Sequence, residues 1–470
     1  MGRLRSPASC KVLITLSGDA NLHVALAAID ALASCGPEVA ALAEIVARMP
    51  ATRAPDGAAA QDVAWHAPAH ALVALARLAP EAALDYVPRF AGHPAWQARM
   101  YAARALGALA PADDNLSVAP PPESRAGKAS ALLESLAADR HPNVREAAVG
   151  ALSQVRGHAA DSIYIETLGA ADYQLVMTAA RALRQSPGRD RAVPALIASL
   201  DRISAERRET SRDPRRALLE RLKELGSAEH ARALEPYLND SDPAIAALAA
   251  EVLSAWTGTA QAARTTRAPA SGAPVAAEAE ALAGSAAVVT MIGGGSFMLR
   301  LLPEEAPVSV LRFVRLARAG YYNGLTFHRV VPNFVIQGGS PGANEYMGDG
   351  PYLRDEVGLR SHARGTVGIS TRGRDTGDAQ IFVNLVDNPR LDHDYTVCAE
   401  IIDGMDVVDA IAEGAVIARI TIVSTPQVRG RSSESWEERA RRLPRRAPVR
   451  PTSPHGSMAA SPKVTVASAE

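Results

Sequence analysis

The sequence predicts a chain of several domains: an all-α helical-repeat solenoid followed by a mainly-β closed barrel capped by two helices. Three observations carry this. At 470 residues the chain exceeds what one hydrophobic core usually serves. Residues 18 to about 257 are rich in Ala and Leu and repeat themselves weakly. From about Ser285 to Thr425 the helical stripes give way to short β-type runs separated by glycine turns. The expected division is a helical-repeat region over 1–257, a flexible linker over 258–284, the barrel domain over 285–425 and a basic tail over 426–470.

The repeats come first in the chain. Compare "YVPRFAGHPAWQARMYAARAL", "LLESLAADRHPNVREAAVGAL" and "ALEPYLNDSDPAIAALAAEVL". Each joins an apolar segment, a polar turn, a proline and a second apolar segment. Behind Pro94, Pro142 and Pro243 the same offsets carry Trp96, Met100 and Ala103; Val144, Ala148 and Ala151; Ile245, Ala249 and Val252. Steps of four and three put those side chains on one helical stripe. Proline suits a first helical turn, where its missing N–H is no loss. Two looser units follow the same plan: Tyr173 with Leu175, Ala179 and Ala182, and Pro214 with Leu218, Leu222 and Leu225. The unit starts, at 94, 142, 173, 214 and 243, lie 48, 31, 41 and 29 residues apart. The pattern resembles HEAT-type helical repeats, in which helix pairs stack. That resemblance implies a protein-binding surface, a possible site for a partner or client. Segments 51 to 62 and 111 to 127 read as loops between pairs.

Composition excludes several classes. Apolar residues make up 47% and charged residues 21%, ordinary for a globular protein, and the net charge of −1 gives no global reason to expect nucleic acid as a partner. No run approaches the length of a membrane span, and "VLITL" is too short for a signal-peptide core, so the expected location is cytoplasmic as the chain is written. Should the true start with a signal lie upstream, the cell envelope is the expectation. Cys10, Cys35 and Cys398 are too few and scattered for a disulfide framework and read as reduced, buried thiols. His66 and His70 are four apart, as two metal ligands on a helix would be. The proline between them and the lack of a neighbouring carboxylate or cysteine favour packed or surface histidines. The linker, "TGTAQAARTTRAPASGAPVAAEAEALAG", loses large apolar residues, and the tail carries nine Lys or Arg against four Asp or Glu and reads as disordered.

In the C-terminal domain, "AVVTM" and "SFMLRLL", joined by "IGGG", predict a hairpin rather than a phosphate loop, since no Lys-Ser or Lys-Thr follows. "APVSVLRFVRLARAG" predicts a helix with Val310, Phe313, Val314 and Ala317 on one face and Gly320 at its stop. The strands "LTFHRVV", "FVIQGG", "GTVGIS", "AQIFVNL" and "YTVCAEI", the helix "MDVVDAIAE" and the strand "ARITIVS" complete it. The order "GYYNGLTFHRVVPNFVIQGGS", "GTVGIS", "DAQIFVNLVDNPRLDHDYTVCAEIIDGMDVVDAI" resembles a cyclophilin-type peptidyl-prolyl cis/trans isomerase over roughly 140 residues. The resemblance implies a rotamase acting in protein folding on proline-containing peptides or proteins, with no cofactor and no metal.

An X-Pro bond keeps partial double-bond character, with a rotation barrier of roughly 18–20 kcal/mol. At the twisted midpoint resonance is lost and the prolyl nitrogen gains a lone pair, so a catalyst needs only donors that fit the twisted amide better than the planar one. Arg329, always charged and forked, is the expected donor. By resemblance, Gln337 holds the substrate backbone and orients the arginine, and His328 lies beside Arg329 at the rim. Phe334, Val335, Phe382 and Leu391 form the apolar floor and walls, and Tyr395 takes the place of a histidine. Ser370, Thr371 and Arg372, in "ISTRG", depart from a Met-Ala-Asn-Ala-like segment that usually offers substrate-backbone contacts, which puts rate and preference in question. Arg390 stands where the family often has Trp or Phe and predicts weak binding of cyclosporin. Asp392, His393 and Asp394 read as a polar turn. A rival reading is a proline-peptide binding module with little turnover.

Overall fold

The computed structural model describes residues 7–36, 39–50, 65–109, 121–264 and 276–424. The basic tail, the loop at 51–62 and most of the loop at 111–127 lie outside the described residues. Helices α1 (Pro7–Leu16), α2 (Leu22–Leu32), α3 (Val39–Ala47), α4 (His66–Leu78), α5 (Pro80–Ala91), α6 (Trp96–Ala108) and α7 (Arg125–Ala137) open the chain. They continue as α8 (Pro142–Val155), α9 (Asp161–Thr167), α10 (Tyr173–Ala182), α11 (Arg189–Ala205), α12 (Arg212–Leu225), α13 (Ala231–Leu234) and α14 (Pro243–Thr257). The even-numbered helices pack in succession from α2 to α14, and the odd-numbered ones flank them. This is the stacked-pair architecture the repeats predict.

Local chemistry sets the helix starts. Asp172 and Asp242 precede α10 and α14, and their carboxylates accept hydrogen bonds from the backbone N–H of Leu175 (3.0 Å) and Ala244 (2.9 Å). Such caps contribute about 1 kcal/mol each. Of the striped residues, all except Trp96 and Ala182 are buried. Buried arginines tie successive units together: Arg99 of α6 grips Asp139 at 2.6 and 2.9 Å, and Arg215 of α12 reaches Asp240 at 2.7 Å. Both bonds end on an aspartate of the turn that opens the next unit, before Pro142 and before Pro243.

The structure corrects the reading of the cysteines. Cys10 of α1 and Cys35, just after α2, form a disulfide across Cα atoms 5.8 Å apart, and only Cys398 is a buried free thiol. The first described helix of the region expected over 1–257 begins at Pro7. His66 and His70 hold no shared site: His66 Nε2 donates to the carbonyl of Glu413 (2.8 Å), and His70 pairs with Asp30 (2.8 Å) and the Tyr101 hydroxyl (2.9 Å).

Strands β1 (Ser285–Met291), β2 (Ser296–Leu301), β3 (Thr326–Val331), β4 (Val335–Ser340), β5 (Thr366–Ile369), β6 (Ile381–Asn384), β7 (Val397–Asp403) and β8 (Ala415–Ser424) close into an antiparallel barrel in the order β1-β2-β7-β5-β6-β4-β3-β8. Closure removes every sheet edge. The accompanying helices are α15 (Ala276–Glu280), α16 (Pro307–Arg318) and α17 (Met405–Asp409). The Gly293–Gly295 turn between β1 and β2 has positive φ at all three glycines, the backbone that such a hairpin demands. The predicted face of α16, Val310, Phe313, Val314 and Ala317, is buried with Phe297, Phe327 and Ile336. Part of the segment read as linker is structured: α15 lies in it, and Leu282 joins the barrel core.

The barrel and the helices touch through the loop 341–352, "PGANEYMGDGPY". Asn143 of α8 donates to the carbonyls of Gly342 (3.0 Å) and Ala343 (3.1 Å), and Asn344 donates to the Asp172 carboxylate (2.9 Å). Asp172 therefore caps α10 with one oxygen and holds the loop with the other. Arg208 donates to the Gly348 carbonyl at 2.6 Å, the Thr210 N–H to that of Gly350 at 3.2 Å, and Tyr346 and Met347 pack against the helical core.

Candidate active site

The pairing of four strands builds the site. Arg329 of β3 stands opposite Gln337 of β4, Gln337 opposite Phe382 of β6, and Phe382 opposite Gly368 of β5. One row of residues thus crosses the sheet. Between Phe327 and Arg329 the register slips by a residue, leaving His328 as the extra position of a bulge.

A cavity of ≈ 220 Å³ lies over this row, lined by Arg329, Phe334, Val335, Gln337, Glu345, Ser370, Thr371, Arg372, Phe382, Leu391 and Tyr395. The structure brings together every site residue expected from the sequence except His328. Burial and the neighbouring Arg329 cation push the His328 imidazole down to about 4, so it is neutral at pH 7.

Arg329 is half exposed, with its charged end free to meet a ligand. Its Nη1 donates to Gln337 Oε1 at 3.1 Å, while Nε lies 3.6 Å from the Glu345 carboxylate. Gln337, itself buried, passes the connection on. Its Nε2 donates to Gln380 Oε1 (3.3 Å), and Gln380 Nε2 donates to the carbonyls of Glu345 (3.0 Å) and Met347 (3.1 Å). The arginine is therefore oriented by a polar chain that ends in the loop held by the helices. Gln380 and Glu345 are members that the sequence reading missed. Gln380 adjoins strand β6 and Glu345 lies in a loop without periodicity, so only the "DAQIF" stretch of the resemblance offered a hint.

The apolar wall has its own supports. The Phe382 ring is flanked by His362 (centroids 5.7 Å, stacked) and Tyr395 (5.8 Å, edge-on). His362 is fully buried, and its Nε2 donates to the Tyr395 carbonyl (3.2 Å). Arg390 lays its guanidinium 4.1 Å from the centre of the Phe334 ring, a cation–π contact at the position where an indole was absent. Arg372 turns away from the pocket centre: Nε donates to Asp213 of α12 (2.6 Å), Nη1 to the Glu345 carbonyl, and Nη2 to the Tyr352 hydroxyl (3.3 Å). Asp392 does not meet His393 and Asp394 around a common point; it accepts from the His362 N–H (2.7 Å) and the Ser361 hydroxyl (2.8 Å).

Gly368 leaves the room that Phe382 fills. A Cβ there would come within 2.4, 2.6 and 3.0 Å of ring atoms of Phe382. Gly368→Ala is expected to raise KM for a prolyl peptide and to cost about 1–3 kcal/mol of stability, because the ring must leave its place. Steady-state kinetics beside thermal unfolding checks this; wild-type values in both would show that the ring has room to yield.

Comparison with known proteins identifies the family of the barrel domain. The family model for cyclophilin-type peptidyl-prolyl cis-trans isomerases matches residues 287–428. A peptidyl-prolyl cis-trans isomerase of Helicobacter pylori is 39% identical over 150 residues, covering 31% of this chain and 92% of that protein. Peptidyl-prolyl cis-trans isomerase B of Bacillus subtilis is 34% identical over 131 residues, covering 27% of this chain and 92% of the relative. The crystal structure of a Cryptosporidium parvum cyclophilin-type isomerase aligns over 30% of this chain and 99% of its own, at 24% identity and a TM-score of 0.29. The chain belongs to the cyclophilin-type peptidyl-prolyl cis-trans isomerase family, with the isomerase in its C-terminal barrel.

Proposed function

We propose that Arg329 is the catalytic donor, that Gln337 orients it, and that Phe334, Val335, Phe382, Leu391 and Tyr395 hold the proline ring while the preceding residue rotates. The observation that carries this is the row Arg329–Gln337–Phe382, which places a charged fork at the rim of an apolar pocket. As the X-Pro amide twists, its nitrogen becomes an acceptor and the guanidinium gains a hydrogen bond that the planar amide does not offer. Ser370 and Thr371 line the wall beside the substrate backbone and replace the missing backbone contacts. His328 acts at most on the orientation of Arg329. No proton is transferred, so the rate is expected to vary little between pH 6 and 9.

Residues 1–257 form the second working part, a surface for a protein partner or client that raises its concentration near the pocket. Among the described residues no helix is long and apolar enough to cross a membrane. The Cys10–Cys35 disulfide supports an oxidising compartment such as the cell envelope over the cytoplasm.

The primary test is a protease-coupled assay of an Ala-Pro tetrapeptide at low temperature with the full chain. Acceleration supports the reading; none from a folded protein moves the assignment to a proline-peptide receptor. Cyclosporin serves as a second probe, because Arg390 over Phe334 occupies the surface an indole would present. It is expected to inhibit weakly, and Arg390→Trp to tighten it about tenfold, equivalent to about 1.4 kcal/mol. An unchanged inhibition constant would remove Arg390 from the explanation.

A further inference from the structure

The wall of the prolyl pocket formed by Arg372 is shared with a second cavity. On the far side of that guanidinium lies a cleft of ≈ 370 Å³ lined by α10, α12 and the loop residue Tyr346. Four guanidiniums line it, those of Arg181, Arg216, Arg221 and Arg372, against the two carboxylates of Asp213 and Glu220.

The cations are unequally satisfied. Arg372 is held by Asp213 and by the cation–π face of Tyr346 at 5.5 Å. Arg221 donates to the Ala180 carbonyl (2.8 Å) and pairs with Glu224, yet burial and the nearby Arg184 still lower its affinity for a proton. Arg216 meets Glu220 at 2.9 Å in an exposed pair that solvent screens. Arg181 is exposed and has no anionic partner among the described residues. The cleft thus presents positive charge that the fold leaves uncompensated.

Its position gives that charge a use. Arg372 lines both the prolyl pocket and the cleft, and a peptide held by its proline runs on as extended chain at about 3.3 Å per residue, so a residue flanking the proline on that side comes within reach of the cleft. The loop carrying Glu345 and Tyr346 is fixed to α8 and α10 by buried Asn143, Asn344 and Asp172, so pocket and cleft are held in one frame.

We infer that the helical repeats complete the substrate groove of the isomerase: α10 and α12, with Arg372, form a subsite for an acidic side chain, Asp or Glu, flanking the proline of a polypeptide substrate. The occupant is the substrate's own chain. An acidic residue there meets Arg181 and Arg216 without displacing the Arg372–Asp213 pair, and the departure "ISTRG" becomes the joint between the two parts of the groove. The inference deepens the isomerase reading and rests on it for turnover, while binding can be measured independently.

The test compares matched prolyl peptides carrying Glu or Gln at successive positions on one side of the proline and then the other. Turnover is read by NMR exchange between cis and trans forms, and binding by fluorescence anisotropy of labelled copies, all with the full chain. At low salt the Glu peptide is expected to exceed its Gln twin about three- to fivefold in kcat/KM and affinity at positions on one side only. The Arg181→Ala/Arg216→Ala double variant, at exposed positions, is expected to bring that ratio to about one, and Arg181→Glu/Arg216→Glu to favour Lys over Glu. Equal Glu and Gln peptides at every position, or a ratio that survives both variants, overturns the inference. Should no peptide be turned over, the isomerase reading fails separately, and the anisotropy ratio still decides whether the acidic subsite exists.

Discussion

Arg329→Ala is expected to lower kcat/KM for an Ala-Pro tetrapeptide by about 10²- to 10³-fold while leaving the thermal midpoint within a few degrees of wild type. The size follows from what the residue supplies. Removing one preorganised donor from an enzyme pocket costs about 2.7–4 kcal/mol of transition-state stabilisation, and among the described residues Arg329 is the one cation lining this pocket that is not turned elsewhere, since Arg372 is turned to Asp213 and Arg390 to Phe334. The small stability effect follows from exposure: the side chain is 42% exposed, and its ion pair with Glu345 is of the kind worth little. Arg329→Lys separates charge from shape. It keeps the cation but loses the fork that reaches Gln337 at 3.1 Å, so an intermediate rate is expected. Equal activity of wild type and Arg329→Ala would mean that the apolar pocket alone performs the rotation.

Much of this site was legible because it obeys short-range rules. Arg329, Gln337 and Phe382 lie on strands whose pairing follows from a tight turn at Pro332–Asn333 and an antiparallel return, and the order of motifs did the rest. The helix starts were legible at Pro142, Tyr173 and Pro243, where an Asp, a His or a proline marks the first turn. What was not legible depends on contacts between distant parts. Arg372 meets a carboxylate 159 positions earlier in the chain, and no pattern in "ISTRG" points to α12. The Cys10–Cys35 bond needs two Cα atoms 5.8 Å apart, which the packing of α1 on α2 produces and the spacing alone does not reveal. His328 looked like a rim residue because it adjoins Arg329; the bulge between Phe327 and Arg329 sends the pair to different surroundings. The segment read as linker is poor in large apolar residues, yet Leu282, near its end, is buried in the barrel core.

The second large effect is loss of stability in mild acid. His66, His141 and His328 are each pushed down to about 4, chiefly by burial, with cationic neighbours adding to it: Arg99 beside His141 and Arg329 beside His328. In the unfolded chain each returns to about 6.5. The folded state therefore binds fewer protons than the unfolded state between these values, and stability present above pH 6.5 is lost as pH falls toward 4. Asp378 works in the opposite sense. Burial raises its carboxyl to about 6, so the folded state keeps a proton that the unfolded state releases, and this contribution grows as pH falls from 6 toward 4. Counted alone, these three histidines against Asp378 give an uptake of about two protons on unfolding near pH 5, a slope of about 2–3 kcal/mol per pH unit before screening reduces it; His93 and His362, also lowered by burial, add to it, and Asp172 and Asp355, raised by burial, oppose it. Urea unfolding at pH 7, 6 and 5 measures that slope directly. His66→Gln is expected to flatten it by about one proton, since His66 is neutral in the fold and donates to the Glu413 carbonyl through Nε2, a bond that an amide N–H can replace. Because that bond joins α4 to the segment before β8, the same variant also tests whether acid weakens the barrel through its contact with the helices. A stability that does not change from pH 7 to pH 5 would mean that these histidines take up protons in the folded state at ordinary values, and that the helices leave them open to water.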